Sequence, residues 1–313
     1  MTADRLTLSQ TSLFRRVRAR APAYMRYVRE KPSWLVMFIC ARTLAGRRLE
    51  RLLHRAAYRH PRPATSHQLS PIDLDKAVDG LVTQGVFIGL RLEDQTVAAI
   101  RNFALAKHCY ARDRQDQPFL PEDVESVNRT RERDVIAAYY FEAVEESPEI
   151  RSLRNDPVLL SIAEAYLGQE PIWNRTRLWW SFPAKRVSDA DLHAVAQDKF
   201  HFDMNEWRTL KFFFYLTPID EKSGPHRCIV GSHRRRPLRQ QFTVTVGRPT
   251  EELEDVYGEE AFRTIIGEAG TGFAEDPFVF HTGSLCEDKP RLILEFEFGA
   301  RPANPSYEYG RLG

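Results

Sequence analysis

In the stretch KFHFDMNEW, residues 199–207, a histidine and an aspartate stand two apart, His201 and Asp203. Along a strand, residues i and i+2 project from one face, so this imidazole and carboxylate can share one ion. Alone, the pair equally fits the wet face of a half-exposed strand. A second segment, DPFVFHTGSLCEDKPRLILEFEFG (276–299), adds the missing chemistry. There an apolar run ends in His281, a turn-rich loop follows, and Arg291 opens the next run. Two imidazoles and one carboxylate form the donor set of a facial iron site, which leaves coordination positions open for a cosubstrate and O2. A keto acid such as 2-oxoglutarate would fill two of those positions, and its far carboxylate would need a buried cation. A guanidinium grips a carboxylate with two parallel hydrogen bonds, and Arg291 lies one hairpin beyond His281. In RLILEFEF, Leu292, Leu294, Phe296 and Phe298 form one apolar face. Arg291, Ile293, Glu295 and Glu297 form a mixed one, as the inside of a barrel holding a charged molecule would be.

The surrounding sequence must supply that barrel. The chain has 313 residues, 42% hydrophobic and 28% charged, which fits a globular protein with a sizeable core. From Pro171 onward, strand-like runs rich in aromatic and β-branched residues alternate with turns: IWNRTRLWWSF, KFHFDM, TLKFFFYLTPI, GFAEDPFVFH and RLILEFEFG. Residues 72–168 read as a mostly helical layer. GVFIGLRL (85–92) is a strand, EDQTVAAIRNFALAK an amphipathic helix, and DPVLLSIAEAYLG a helix with Asp156 as its cap and Gly168 as its stop. Helices first and antiparallel strands after them predict an α+β fold, a jelly roll or barrel with a helical layer.

The opening zone, residues 1–65, differs in charge. Residues 1–60 hold 14 Lys and Arg against 3 acids, a surplus of +11, while the chain as a whole carries only +2. Helical spacing of apolar residues predicts helices over Leu13–Val28 and Leu44–Tyr58. HPRPATSHQLSP (60–71) reads as a linker. No run reaches the roughly 18 apolar residues of a membrane span, WLVMFICA being the longest. No secretory signal is evident, and none of the four cysteines forms a C-x-x-C pair. A reducing cytoplasm is the default location.

From about residue 72 to 300 the chain resembles the phytanoyl-CoA dioxygenase family of Fe(II)/2-oxoglutarate-dependent oxygenases. HFD, SGPHRCIVGSHRRRP and FHTGSLCEDKPR resemble its signature segments in order. GVFIGLRLEDQTVAAIRNFALAK and DPVLLSIAEAYLG resemble the strand and helices that precede them. The resemblance implies a double-stranded β-helix, cupin-like core within an oxygenase domain spanning 66–313. It implies that His201, Asp203 and His281 ligate iron and that Arg291 holds 2-oxoglutarate. Trp207 matches a tryptophan lining the cosubstrate pocket in some members, and Asn174 and Arg177 fall where others place polar cosubstrate contacts. Val230, standing where a proline often precedes GSH, and Cys286 in the distal loop depart from the family pattern.

The activity implied is hydroxylation of an unactivated C–H bond, with 2-oxoglutarate consumed to succinate and CO2 and ascorbate added in assays. Halogenases of this class carry a small residue in place of the carboxylate, so Asp203 points to hydroxylation. The implied substrate is a small molecule, a lipid or a glycolipid, and hydroxylation of a Kdo sugar of lipopolysaccharide on the cytoplasmic face is one precedent. Arginines interleaved with apolar residues in 1–60 would suit peripheral contact with an anionic membrane. The other reading is a helical layer packed on the barrel with its arginines in water. No nucleic-acid motif accompanies the basic zone. A metal-holding cupin that binds or isomerises a sugar is the alternative function, and it would have no use for Arg291. His226, His233 and His193 are competing histidines, and Arg234, Arg235 and Arg236 read as a solvated turn or a contact for an anionic substrate.

Overall fold

The computed structural model describes residues 21–22, 24–112, 114–141, 146–188, 191–192, 199–241 and 247–304. His193 and most of the helix expected over 13–28 lie outside the described residues, and residues 24–30 are helical.

Two short helices follow, α1 (Ser33–Cys40) and α2 (Leu44–Leu53), the latter capped by the Thr43 hydroxyl, which accepts from the Gly46 N–H. An extended stretch then leads into α3 (Leu74–Gln84), β1 (Val86–Arg91) and α4 (Asp94–Ala106). The layer continues with β2 (Cys109–Ala111), β3 (Arg114–Phe119), α5 (Val124–Arg129), β4 (Ala137–Tyr140), α6 (Pro148–Arg154) and α7 (Pro157–Leu167). α7 starts where expected. The Asp156 carboxylate accepts from the Val158 N–H at 2.9 Å, and Pro157 brings a fixed φ to the first turn. The barrel strands are β5 (Ile172–Ser181), β6 (Thr209–Tyr215), β7 (His226–Ile229), β8 (Phe262–Ile265), β9 (Thr271–Glu275), β10 (Phe280–Gly283) and β11 (Arg291–Gly299). Two small helices, α8 (Leu238–Gln241) and α9 (Thr250–Tyr257), interrupt them.

Among the described residues the strands form two antiparallel sheets. The large one runs β1-β9-β6-β11-β5-β4-β2-β3 and the small one β10-β7-β8. The outer face of the large sheet buries Leu210, Phe212, Phe214, Leu294, Phe296 and Phe298 against α3, α4 and α7. Each such side chain contributes about 1.5–3 kcal/mol by leaving water. The inner face meets the small sheet around Phe213, Tyr215, Phe273, Ile293 and Cys228. This is the cupin-like jelly roll that the sequence predicts.

The structure departs from the sequence reading in two places. Residues 109–140 are not purely helical, because β2, β3 and β4 extend the large sheet beyond β5. KFHFDM is not a ladder strand either. His201 pairs with His281 in an isolated bridge, as Phe200 does with Arg248.

The turn between α3 and β1 bears on the site. Gly85 has φ +80°, and a Cβ there would lie 2.4 Å from Val279 Cγ1 and 2.5 Å from the His233 ring. Gly85→Ala therefore combines left-handed strain with overpacking. The expected loss is about 2–4 kcal/mol, read as a lower midpoint in chemical denaturation.

Candidate active site

Backbone hydrogen bonds assemble the three candidate ligands. The His201 N–H donates to the His281 carbonyl at 2.9 Å, and the His281 N–H returns the bond at 2.8 Å. The Asp203 N–H donates to the Pro277 carbonyl at 2.7 Å. These bonds tie the HFD segment to the start of β10 and turn the three side chains to a common point. One ligand atom from each of His201, Asp203 and His281 lies within 4.8 Å of the others.

The imidazoles are set for ligation. Nδ1 of His201 bonds the Lys199 carbonyl at 3.1 Å, and Nδ1 of His281 bonds the Val279 carbonyl at 3.1 Å. A donating Nδ1 leaves Nε2 with a free lone pair. Both Nε2 atoms face the Asp203 carboxylate at 3.9 Å. Burial holds the His281 imidazole down to about 4, so it is neutral at pH 7 and needs to release no proton to bind a metal. Burial alone would raise Asp203. Lys211, His281 and His201 outweigh it and hold the carboxyl well below the usual carboxylate range. The site thus presents two imidazoles and one carboxylate, a donor set that fits Fe(II).

A charged layer lies beneath the ligands, and the sequence reading missed it. Lys211 is buried on β6, and its Nζ donates to Asp203 Oδ2 at 2.5 Å and lies 3.8 Å from Glu297. Strand register sets Arg175, Glu297, Lys211 and Glu275 side by side across β5, β11, β6 and β9. Arg175 donates to Glu297 at 2.6 Å, and Asn205 donates to the same oxygen at 2.8 Å. Burial pushes Glu275 up to about 7. It lies 2.9 Å from His226 Nε2 and 3.6 Å from His281 Nδ1. The His226 ring stacks 5.6 Å from that of His281, and burial, with Arg291 near, drives it down to about 3. The available signal was a lysine inside TLKFFFY, a strand buried throughout. Such a lysine requires a buried anion.

Arg291 is buried at the start of β11, opposite Ser181 on β5. It donates to the Gly224 carbonyl and, at 3.0 Å, to the Ser181 hydroxyl. Gly224 has φ +73°, and a Cβ there would lie 2.8 Å from Cys286 Sγ. Cys286 is accordingly a buried packing residue whose Sγ contacts the Ser223 carbonyl at 3.4 Å. Among the described residues the partners of Arg291 are the Gly224 carbonyl and the Ser181 hydroxyl rather than a carboxylate, and its Nε lacks a partner. A buried guanidinium without an anion fits the far carboxylate of 2-oxoglutarate.

The structure does not bring the other expected contacts to that end. Arg177 faces inward, but its guanidinium is bound in two hydrogen bonds to Glu295. Asn174 lies seven residues from Ser181 along β5, roughly 23 Å at strand rise, and its Oδ1 accepts from the Ala303 N–H. Trp207 packs against the Trp34, Met37 and Ala41 cluster of the N-terminal helices. His233 fastens its loop to the end of α3 through the Val82 carbonyl at 3.2 Å. Arg236 is neither solvated nor free for substrate, because its guanidinium is buried 3.9–4.4 Å from the Phe202, Phe278 and Phe280 rings.

A model of the phytanoyl-CoA dioxygenase (PhyH) family matches residues 86–284, more than half the chain and all three ligand positions. This protein belongs to the phytanoyl-CoA dioxygenase family. It is an Fe(II)/2-oxoglutarate-dependent oxygenase-type enzyme that uses Fe(II), 2-oxoglutarate and O2. Crystal structures of EctD from S. alaskensis share its fold. The apo form matches with a TM-score of 0.51 at 18% identity, covering 81% of this chain and 89% of that one. The form with bound Fe matches with a TM-score of 0.50 at 17% identity, covering 80% and 86%. No curated protein matches by sequence. No helix among the described residues is long and apolar enough to cross a membrane.

Proposed function

We propose that this family member is a hydroxylase acting on an unactivated C–H bond of a small-molecule, lipid or glycolipid substrate. The observation that carries the reading is the carboxylate in the triad: Asp203 stands beside His201 and His281, with their ligand atoms within 4.8 Å of one another. A carboxylate in that position leaves no ligand site for a halide, which favours transfer of hydroxyl. Neither the family nor the geometry singles out a Kdo sugar.

In this reading His201, Asp203 and His281 would hold Fe(II), and Arg291 would receive the far carboxylate of 2-oxoglutarate. When bound, the iron supplies the oxidising chemistry, with 2-oxoglutarate consumed to succinate and CO2. The chain's part is to position and to exclude water. Lys211 fixes Asp203 Oδ2, which faces His281, and leaves Oδ1 to face His201. Phe213 and Phe273, stacked at 4.8 Å, wall the interior beside His226 with apolar surface.

The test has two readouts. Purified protein with Fe(II) and ascorbate should release succinate from 2-oxoglutarate without added substrate, and a chelator should stop it. Turned-over substrate should gain one oxygen atom. A product that is epimerised, cyclised or desaturated without that oxygen would overturn hydroxylation while leaving the family chemistry intact. For Arg291→Lys, which keeps the charge and loses the fork, half-saturation by 2-oxoglutarate should rise about tenfold. An unchanged value in steady-state succinate assays would remove Arg291 from the cosubstrate site.

A further inference from the structure

α2 is mounted inside out. Three of its four charged residues, Arg47, Glu50 and Arg51, face the protein. Arg47 pairs with Asp276 at 3.1 Å and lies over the Phe278 ring. Glu50 is 4% exposed and binds Arg208 at 3.0 Å and Arg301 at 3.2 Å. Arg51 reaches the Tyr166 carbonyl and stacks on Tyr58. Three of its four leucines face away, Leu49 at 55%, Leu52 at 75% and Leu53 at 70% exposed. α1 adds a second outward apolar set. Trp34, Met37 and Ala41 are buried, while Leu35, Val36 and Ile39 are exposed. The sequence leaves two readings open, peripheral contact with an anionic membrane and a packed layer that shows its arginines to water. The structure shows apolar side chains beside them.

Single exposed hydrophobics are ordinary, but a concentration of them marks a binding surface. Eight of the fourteen exposed large hydrophobics among the described residues fall between Met25 and Tyr58. The exposed charges around them are mostly positive. Arg26, Arg29, Arg48 and Arg55 are exposed, and Glu30 is the only exposed acid in 21–59 among the described residues.

We propose that the outward faces of α1 and α2 lie in the surface of an anionic lipid bilayer. The leucines, valine and isoleucine enter the acyl boundary, and the arginines meet the headgroups. Two observations favour lipid over a second copy of the chain. A two-fold contact through this face would set arginine against arginine, which disfavours self-association. An acidic surface satisfies the arginines and the apolar residues together. The helices lie in the plane of the bilayer, since neither is long enough to span it.

This inference is independent of the reaction. The full chain is sedimented with vesicles of phosphatidylcholine alone and with vesicles in which about a quarter is phosphatidylglycerol. Binding is expected to the mixed vesicles and to weaken as salt rises. The double variant Leu52→Asp, Leu53→Asp should bind at least about tenfold less. Arg48→Ser and Arg55→Ser, at two exposed positions, should each lower binding about fivefold. Uncoupled 2-oxoglutarate turnover should stay unchanged in all of them. Equal binding by wild type and variants, or none by wild type, overturns the proposal. A concentration-dependent dimer that Leu52→Asp dissolves, without vesicle binding, overturns it in favour of a second copy.

Discussion

Asp203→Ala should abolish Fe(II)-dependent succinate formation and lower metal affinity by more than about 100-fold, beyond the usual effect of losing a supporting group. Two losses act together. Asp203 is the anionic donor of the three ligand residues, so its removal takes away most of the attraction for a dication. It also strands Lys211, whose Nζ bonds Asp203 Oδ2 at 2.5 Å. Glu297 stays near that ammonium, but at 3.8 Å. Lys211 would then repel an incoming dication across a poorly screened interior. His201→Ala removes an imidazole donor and leaves the Lys211 pair intact, so it should cost less. Anaerobic calorimetry with Fe(II), or with Mn(II) as a redox-stable substitute, measures both variants. Near-wild-type affinity in Asp203→Ala would remove the carboxylate from the metal site.

The site was legible in the sequence where its chemistry is rare. His201, Asp203, His281 and Arg291 stand out because imidazole, carboxylate and guanidinium are unusual in apolar runs. What surrounds them was legible only in part. The mixed face of β11 showed that Glu295 and Glu297 point inward with Arg291, but their partners sit on β5 and β6, and a single run carries no information about register. Arg177 was read as a cosubstrate contact because it falls on the right strand. Its bond to Glu295 appears only when β5 and β11 are aligned. β2 and β3 were missed because they are short, and β3, RQDQPF, is polar at the sheet edge, where no hydrophobic alternation is required.

The basic N-terminal zone was legible as charge and helix, but not as packing. Its helices brace both ligand-bearing segments. Lys31 pairs with Glu206 at 3.2 Å and Glu50 with Arg208, just after the HFD segment. Arg47 holds Asp276, five residues before His281. A truncation starting near Ile72 would therefore strip buried partners from Arg208 and Asp276. Loss of lipid binding in such a protein would not separate surface contact from damage to the site, whereas point changes on the outward faces of α1 and α2 leave the bracing intact.

Lys211→Met is the sharpest test of the charged layer. Methionine nearly matches the lysine stem in volume, so the change opens little cavity and acts mainly through charge. It leaves the Asp203 carboxylate without its hydrogen-bonded cation and Glu297 with one cation fewer. Breaking a buried pair in this way costs about 3–5 kcal/mol. Asp203 is held below its unfolded value near 3.9. The stability from its pairing is therefore fully present above that value and is lost as pH falls through the lower folded value. The gap between wild type and Lys211→Met should accordingly be full at neutral pH and shrink under acid. A dication at the triad would restore positive charge beside Asp203. Saturating Mn(II) should thus raise the melting temperature more in Lys211→Met than in wild type, because stabilisation by a ligand that binds only the folded state grows with the logarithm of its concentration over its Kd. Equal stability of the two metal-free proteins, or equal shifts with metal, would mean that Lys211 does not govern the charge of the iron carboxylate.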